Sequence, residues 1–167
     1  MHILRRIVYF LGFVFWTGLS FAQDESVRSE ELPQVFIIGE FEHDYEKMVL
    51  ECDDHLLSVC DGSMDMAYNV WLHMISNLEQ FASEKSFDIN GTKLWLTAYW
   101  NKDGTIKHLV YYPKPNSKNM DFQKLTGFFT EFTGVYKLPL ESESCFSHYG
   151  SATFPSFANH YFKQSKK

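Results

Sequence analysis

Two runs of alternating side chains, KLWLTAYW (93–100) and TIKHLVYY (105–112), flank Asn101-Lys102-Asp103-Gly104. Glycine supplies the positive φ that a tight hairpin turn needs, so the pair reads as two antiparallel strands. In the first strand Leu94, Leu96, Ala98 and Trp100 point one way, and Trp95, Thr97 and Tyr99 the other. In the returning strand Ile106, His108, Val110 and Tyr112 share a side. Large side chains on both faces constrain the fold strongly. One face must be core, and the other must be partly covered or serve as a functional surface.

The covering elements flank the hairpin. Residues 63–85, SMDMAYNVWLHMISNLEQFASEK, place Ala67, Val70, Trp71, Met74, Ile75, Leu78, Phe81 and Ala82 on one stripe at helical spacing. Ser63 is a candidate N-cap and Asp65 sits in the first turn, where the helix dipole favours negative charge. After the Pro/Asn loop PKPNSKN, residues 121–133 read as a second helix, with Asp121 as cap, Phe122, Leu125, Phe129 and Phe132 on its buried face, and Gly134 as its stop. Residues 43–52 form a third candidate, with Tyr45, Met48, Val49 and Cys52 at i, i+3, i+4 and i+7. QVFIIGEF reads as a short strand ended by Gly39. HLLSVC (55–60) fits a buried strand or the tail of the preceding helix. CFSHYGSATFPSFANHYF reads as a last strand, with Pro155 confined to an edge or a strand end. The expected fold is a small α+β domain over residues 35–162, a small antiparallel sheet with a central hairpin at 93–112, packed by helices at 43–52, 63–85 and 121–133.

Ahead of that domain lie a basic start containing Arg5 and Arg6, an uncharged apolar run of 16 residues, and Ser20-Phe21-Ala22. This is the pattern of a cleaved secretory signal over residues 1–22. The competing reading is a retained anchor, for which 16 residues is short of the ~20 that a spanning helix uses. Cleavage leaves no stable membrane anchor and predicts a periplasmic or secreted chain. Residues 23–34 read as a flexible linker and 163–167 as a basic tail.

Cleavage removes two arginines and no acid, so the formal charge moves from −6 to −8. Nucleic-acid binding needs clustered Lys and Arg, and an acidic chain argues against it. Export permits disulfides. The three cysteines, Cys52, Cys60 and Cys145, allow one bridge at most. Cys52–Cys60 closes the shortest loop, and three buried thiols are the alternative.

Motifs for chemistry are sparse. The acidic stretch around Glu40, Glu42, His43, Asp44 and Glu46 reads as a solvated helix start, without the spacing of a known metal site, and no metal or cofactor is expected. Ser147-His148 and Ser151 lack the nucleophile elbow of a hydrolase.

From Ser63 onward the order is long helix, strand, Asp-Gly turn, strand, Pro/Asn loop, helix and final strand. INGTKLWLTAYWNKDGTIKHLVYYPKPNSKN and the helix beginning at Met120-Asp121 resemble the C-terminal domain family of TonB, closest to its divergent secreted Bacteroidetes members. The resemblance spans about residues 63–140. It implies a module of the Gram-negative envelope that binds another protein by adding or accepting a strand at a sheet edge. A cleaved leader and a spacer of about ten residues, at most ~3.5 Å each, depart from an energy transducer.

The leading expectation is therefore a non-enzymatic interaction module with an envelope protein as partner. Trp95, Tyr99, Lys107 and Tyr111 are its candidate partner-binding residues. Two alternatives stay open. One is a small secreted enzyme using His148 or Cys60, and the other is a carrier of an apolar ligand between Phe122, Phe129 and Met74. Oligomeric state carries no sequence signal.

Overall fold

The structure, a computed structural model, describes residues 32–158. The signal segment, most of the linker, residues 159–162 and the basic tail lie outside the described residues. Elements follow in the order β1 (Val35–Ile37), α1 (Glu42–Glu51), β2 (Asp54–His55), α2 (Leu56–Val59), α3 (Met64–Glu84), β3 (Lys93–Trp100), β4 (Ile106–Pro113), α4 (Phe122–Val135) and β5 (Phe146–Thr153). Five strands form one sheet in the order β1-β4-β3-β5-β2. The fold is α+β, as the alternation and helical stripes require. The sheet is mixed rather than antiparallel, because the short outer strands β1 and β2 run parallel to β4 and β5.

The hairpin is the centre of the sheet. Leu94, Leu96, Ala98 and Trp100 are completely buried on one face, beneath α3 and α4. Both helices start where side-chain oxygens cap them. Ser63 accepts from Met66 N, and Asp121 accepts from Gln123 N and Lys124 N. On α3 the stripe Ala67, Trp71, Met74, Ile75, Leu78 and Ala82 is buried, while Val70 and Phe81 pack at its margin. On α4 Leu125, Phe128, Phe129 and Phe132 are buried, and Phe122 is exposed. The helix passes through Gly134 to Val135, so that glycine does not stop it. Phe81 on α3 meets Phe128 and Phe132 on α4, and Lys85 pairs with Glu131 at 2.7 Å.

One irregularity changes which residues share a face. Tyr99 lies opposite His108, but Trp100 lies opposite Ile106, so Lys107 is an extra residue in β4. The bulge breaks the single alternation expected of the returning strand. Ile106 joins the helix-covered core, whereas Val110 packs with Tyr99 on the other face.

Two glycines set close approaches. Gly104 has φ +85°, and a Cβ there would lie 2.2 Å from the carbonyl oxygen of Leu138. The turn is clamped by the chain after α4, through Leu138 N to Gly104 O and Ser142 N to Lys102 O. At Gly150 a Cβ would lie 2.6 Å from the Trp71 ring, so the indole rests directly on β5. The ambiguous 55–60 stretch divides, with His55 ending β2 and Leu56–Val59 forming one helical turn.

Gly150→Ala should force Trp71 off the strand. The expected loss is about 1–3 kcal/mol, the usual cost of overpacking. Urea unfolding followed by tryptophan fluorescence measures it, and an unchanged midpoint would refute the contact.

Candidate interaction surface

Among the described residues, the sheet face away from α3 and α4 is covered over only half its length. Helix α1 lies on that half, with Met48 and Cys52 packed against Phe36, Tyr99 and Val110. Its buried stripe is narrower than the spacing suggests, since Val49 is exposed. Three links hold α1 down. The Tyr45 and Tyr99 hydroxyls meet at 3.1 Å, Lys107 pairs with Glu51 at 3.4 Å, and Cys52 is bonded to Cys145 with an S–S distance of 2.07 Å. Cys52–Cys60 is therefore not the pairing. Cys145 immediately precedes β5, which the sheet brings beside the end of α1, whereas Cys60 is a free, fully buried thiol in the core under α3.

The other half is open. It presents Lys93, Trp95 and Thr97 from β3, Tyr112 from β4 with Lys114 just past its end, and Tyr149, Ser151 and Thr153 from β5. Trp95, Tyr112 and Tyr149 are 38%, 51% and 59% exposed, and large aromatics of that exposure on adjacent strands form one patch. The Trp95 and Tyr149 rings stack at 5.5 Å and 20°. Lys114 reaches over the indole, its Nζ 3.7 Å from the Trp95 ring centroid and donating to Ser151 Oγ on β5. A cation over an indole face is attracted by the ring quadrupole.

The sheet edges differ in how they are closed. On β4 the outward residues Leu109 and Tyr111 bond to β1, and Pro113 has no N–H to offer. On β1 the outward Ile37 N–H reaches Glu40 Oε2, and its carbonyl accepts from Glu40 N. On β5, Phe154 N bonds to Thr92 O, so the even residues of β5 face β3 and the odd ones face outward. β2 pairs with Phe146 and Ser147 only. The outward N–H and C=O groups of Tyr149, Ser151 and Thr153 have no backbone partner among the described residues. Their side chains belong to the open face.

The four residues expected to bind a partner do not share one surface. Trp95 is on the open half. Tyr99 is buried on the same face under α1, where loss of hydration and the Tyr45 hydroxyl push its phenol upward. Lys107 is the bulge residue and is tied to Glu51. Tyr111 is buried on the opposite face, its hydroxyl 2.7 Å from Thr126 Oγ1. The open half also presents Tyr112, Lys114, Tyr149 and Ser151, which the sequence pattern does not single out as a partner surface. Alternation within β5 places Tyr149 and Ser151 together, but only the pairing of β5 with β3 brings them to Trp95.

The residues of the alternative readings are dispersed. Cys60 has its thiol pushed up by burial and by Asp61, the opposite of an activated nucleophile. His148 lies under Trp71, ring centroids 4.7 Å apart, and burial first, then nearby His55, holds its pKa below the ordinary value. Ser147 Oγ is 3.5 Å from His55 Nδ1, with Asp54 directed to Ser144. Phe129 and Met74 are packed in the core, and Phe122 is exposed. Among the described residues no group of three or more His, Cys, Asp or Glu is placed to hold a metal ion, and no helix is long and apolar enough to cross a membrane. No protein-family model, curated protein or solved structure matches the chain.

Two expectations follow. The Cys52–Cys145 link spans 93 residues, and losing such a bridge costs about 2–5 kcal/mol. Cys52→Ser with Cys145→Ser should lower the urea midpoint to the value of the reduced wild type, while Cys60→Ser should leave the reductant effect intact. For His148, the unfolded chain takes up a proton near 6.5 that the folded chain refuses. Its contribution to stability is therefore full above that pH and is lost as the pH falls below it. His148→Gln should flatten the stability change between roughly pH 7.5 and pH 5, measured by urea midpoints across that range.

Proposed function

We propose that this chain is a secreted or periplasmic protein-interaction module that takes an extended segment of an envelope protein as an added strand on β5. The observation that carries the reading is the coincidence of two features. The outward backbone of Tyr149, Ser151 and Thr153 is unpaired among the described residues, and the same residues border the aromatic patch of Trp95, Tyr112 and Tyr149. An added strand gains main-chain hydrogen bonds from the edge and side-chain contacts from the face beside it. Exposed tryptophan and tyrosine supply large rigid contact area, the usual composition of interface anchors. The resemblance of residues 63–140 to the TonB C-terminal family supports the same mode of binding, and the signal-like leader supports an envelope location.

Capture from an envelope extract, followed by amide exchange on the purified complex, tests the reading. Tyr149, Ser151 and Thr153 amides should exchange quickly in the free chain and slowly in the complex. Ser151→Pro removes an outward donor without touching the β3 ladder, which runs through Gly150 and Ala152. It should abolish binding and leave the fold intact. Trp95→Ala with Tyr149→Ala should weaken binding about 30-fold, the scale of losing an anchor worth ~2 kcal/mol. Protection that appears elsewhere, with these amides still exchanging, would sink the proposal.

A further inference from the structure

The open half of the sheet carries a charge opposite to that of the chain. The full sequence has a formal charge of −6. The strand positions facing outward on this half, with Lys114 just past β4, hold two ammonium groups and no carboxylate. One of the two is carried to the edge itself, because Lys114 crosses the Trp95 ring to reach Ser151 on β5. The other, Lys93, lies directly across from Thr153.

A strand seated on β5 would place a residue opposite Ser151 at a Cα distance of ~5.5 Å if antiparallel, with its side chain on the same face. That side chain meets the Lys114 ammonium. Two residues along, the side chain opposite Thr153 looks across β5 toward Lys93, two strand spacings of ~4.8 Å each, a gap that a lysine and a glutamate side chain reach over together. Two residues the other way, the side chain opposite Tyr149 meets the stacked Tyr149–Trp95 pair. Because strand side chains alternate between faces, these three positions read one face of the incoming strand.

Resting on the strand-addition reading, we infer that the partner segment is an acidic extended peptide, with carboxylates at two alternate positions and an aromatic or apolar side chain at the next alternate one. The carboxylates pair with Lys114 and Lys93, and the apolar group covers Tyr149. A second copy of this chain fits the edge less well, because its β5 would bring Lys114 against Lys114.

Three labelled peptides test this on the full chain. Each has a variable residue, which is glutamate, glutamine or lysine, alternating with threonine and followed by a tyrosine two residues after the last variable position, the order an antiparallel strand needs to meet Thr153, Ser151 and Tyr149 in turn. The glutamate peptide should bind about tenfold tighter than the glutamine peptide, two partly exposed ion pairs being worth roughly 1 kcal/mol or a little more together. The advantage should shrink with added salt. Lys93→Glu with Lys114→Glu should reverse the order in favour of the lysine peptide. Equal binding of all three, lost in Ser151→Pro, would overturn the acidic preference and keep strand addition. Failure of every peptide, with no envelope partner protected at β5, would overturn both. A concentration-dependent dimer in sedimentation, abolished by Ser151→Pro, would assign the edge to a second copy and overturn the inference.

Discussion

β3 is paired along its whole length on both sides, to β4 by its odd residues and to β5 by its even ones. Everything else is arranged around that strand. Its even side chains are sealed under α3 and α4, whose inner faces belong to the same core. Its odd side chains therefore face away from the main core. Among the described residues the only helix available to them is α1, ten residues long with Met48 as its one buried residue. A helix of that length covers ~15 Å, short of the eight residues of β3 at ~3.4 Å each. The exposed aromatic patch is the geometric remainder of that mismatch.

The remainder is not treated like the rest of the surface. An open strand edge beside exposed aromatics invites association, and natural sheets close such edges. Here β1 is closed by Glu40 and β4 by β1 and Pro113, while β2 stops after two residues and, among the described residues, leaves the distal part of β5 uncovered. The proposed addition of a strand on β5 rests on this selective closure of the other edges. The lysine that lies over the tryptophan and Lys93 opposite Thr153 put positive charge on this side of an acidic chain.

The long helices and the hairpin were legible because each depends on local periodicity. Ser63, Asp121 and Gly104 act as the capping and turn residues that their types suggest. What could not be read depends on contacts between distant residues. A bulge needs the two ends of a ladder to be compared, so Tyr111 and Tyr112 exchanged roles. The partner of Cys52 lies 93 residues away, and spacing favours the nearer Cys60. The parallel placement of β1 and β2 follows from crossover paths, which alternation does not record. The surface was half legible: Trp95 could be chosen from its strand, but Tyr149 and Lys114 join it only through the β3–β5 pairing and a side chain that spans it.

The odd cysteine has a consequence for how the chain matures. Disulfides exchange by attack of a thiolate, and the rate follows thiolate content and access. Once α2 is packed, Cys60 has neither, being fully buried with its thiol held protonated. The choice between the native bridge and a misplaced one is thus made while the chain is still open. Folding then withdraws the single sulfur that could undo the choice, and the oxidised form is protected from reshuffling by its own core.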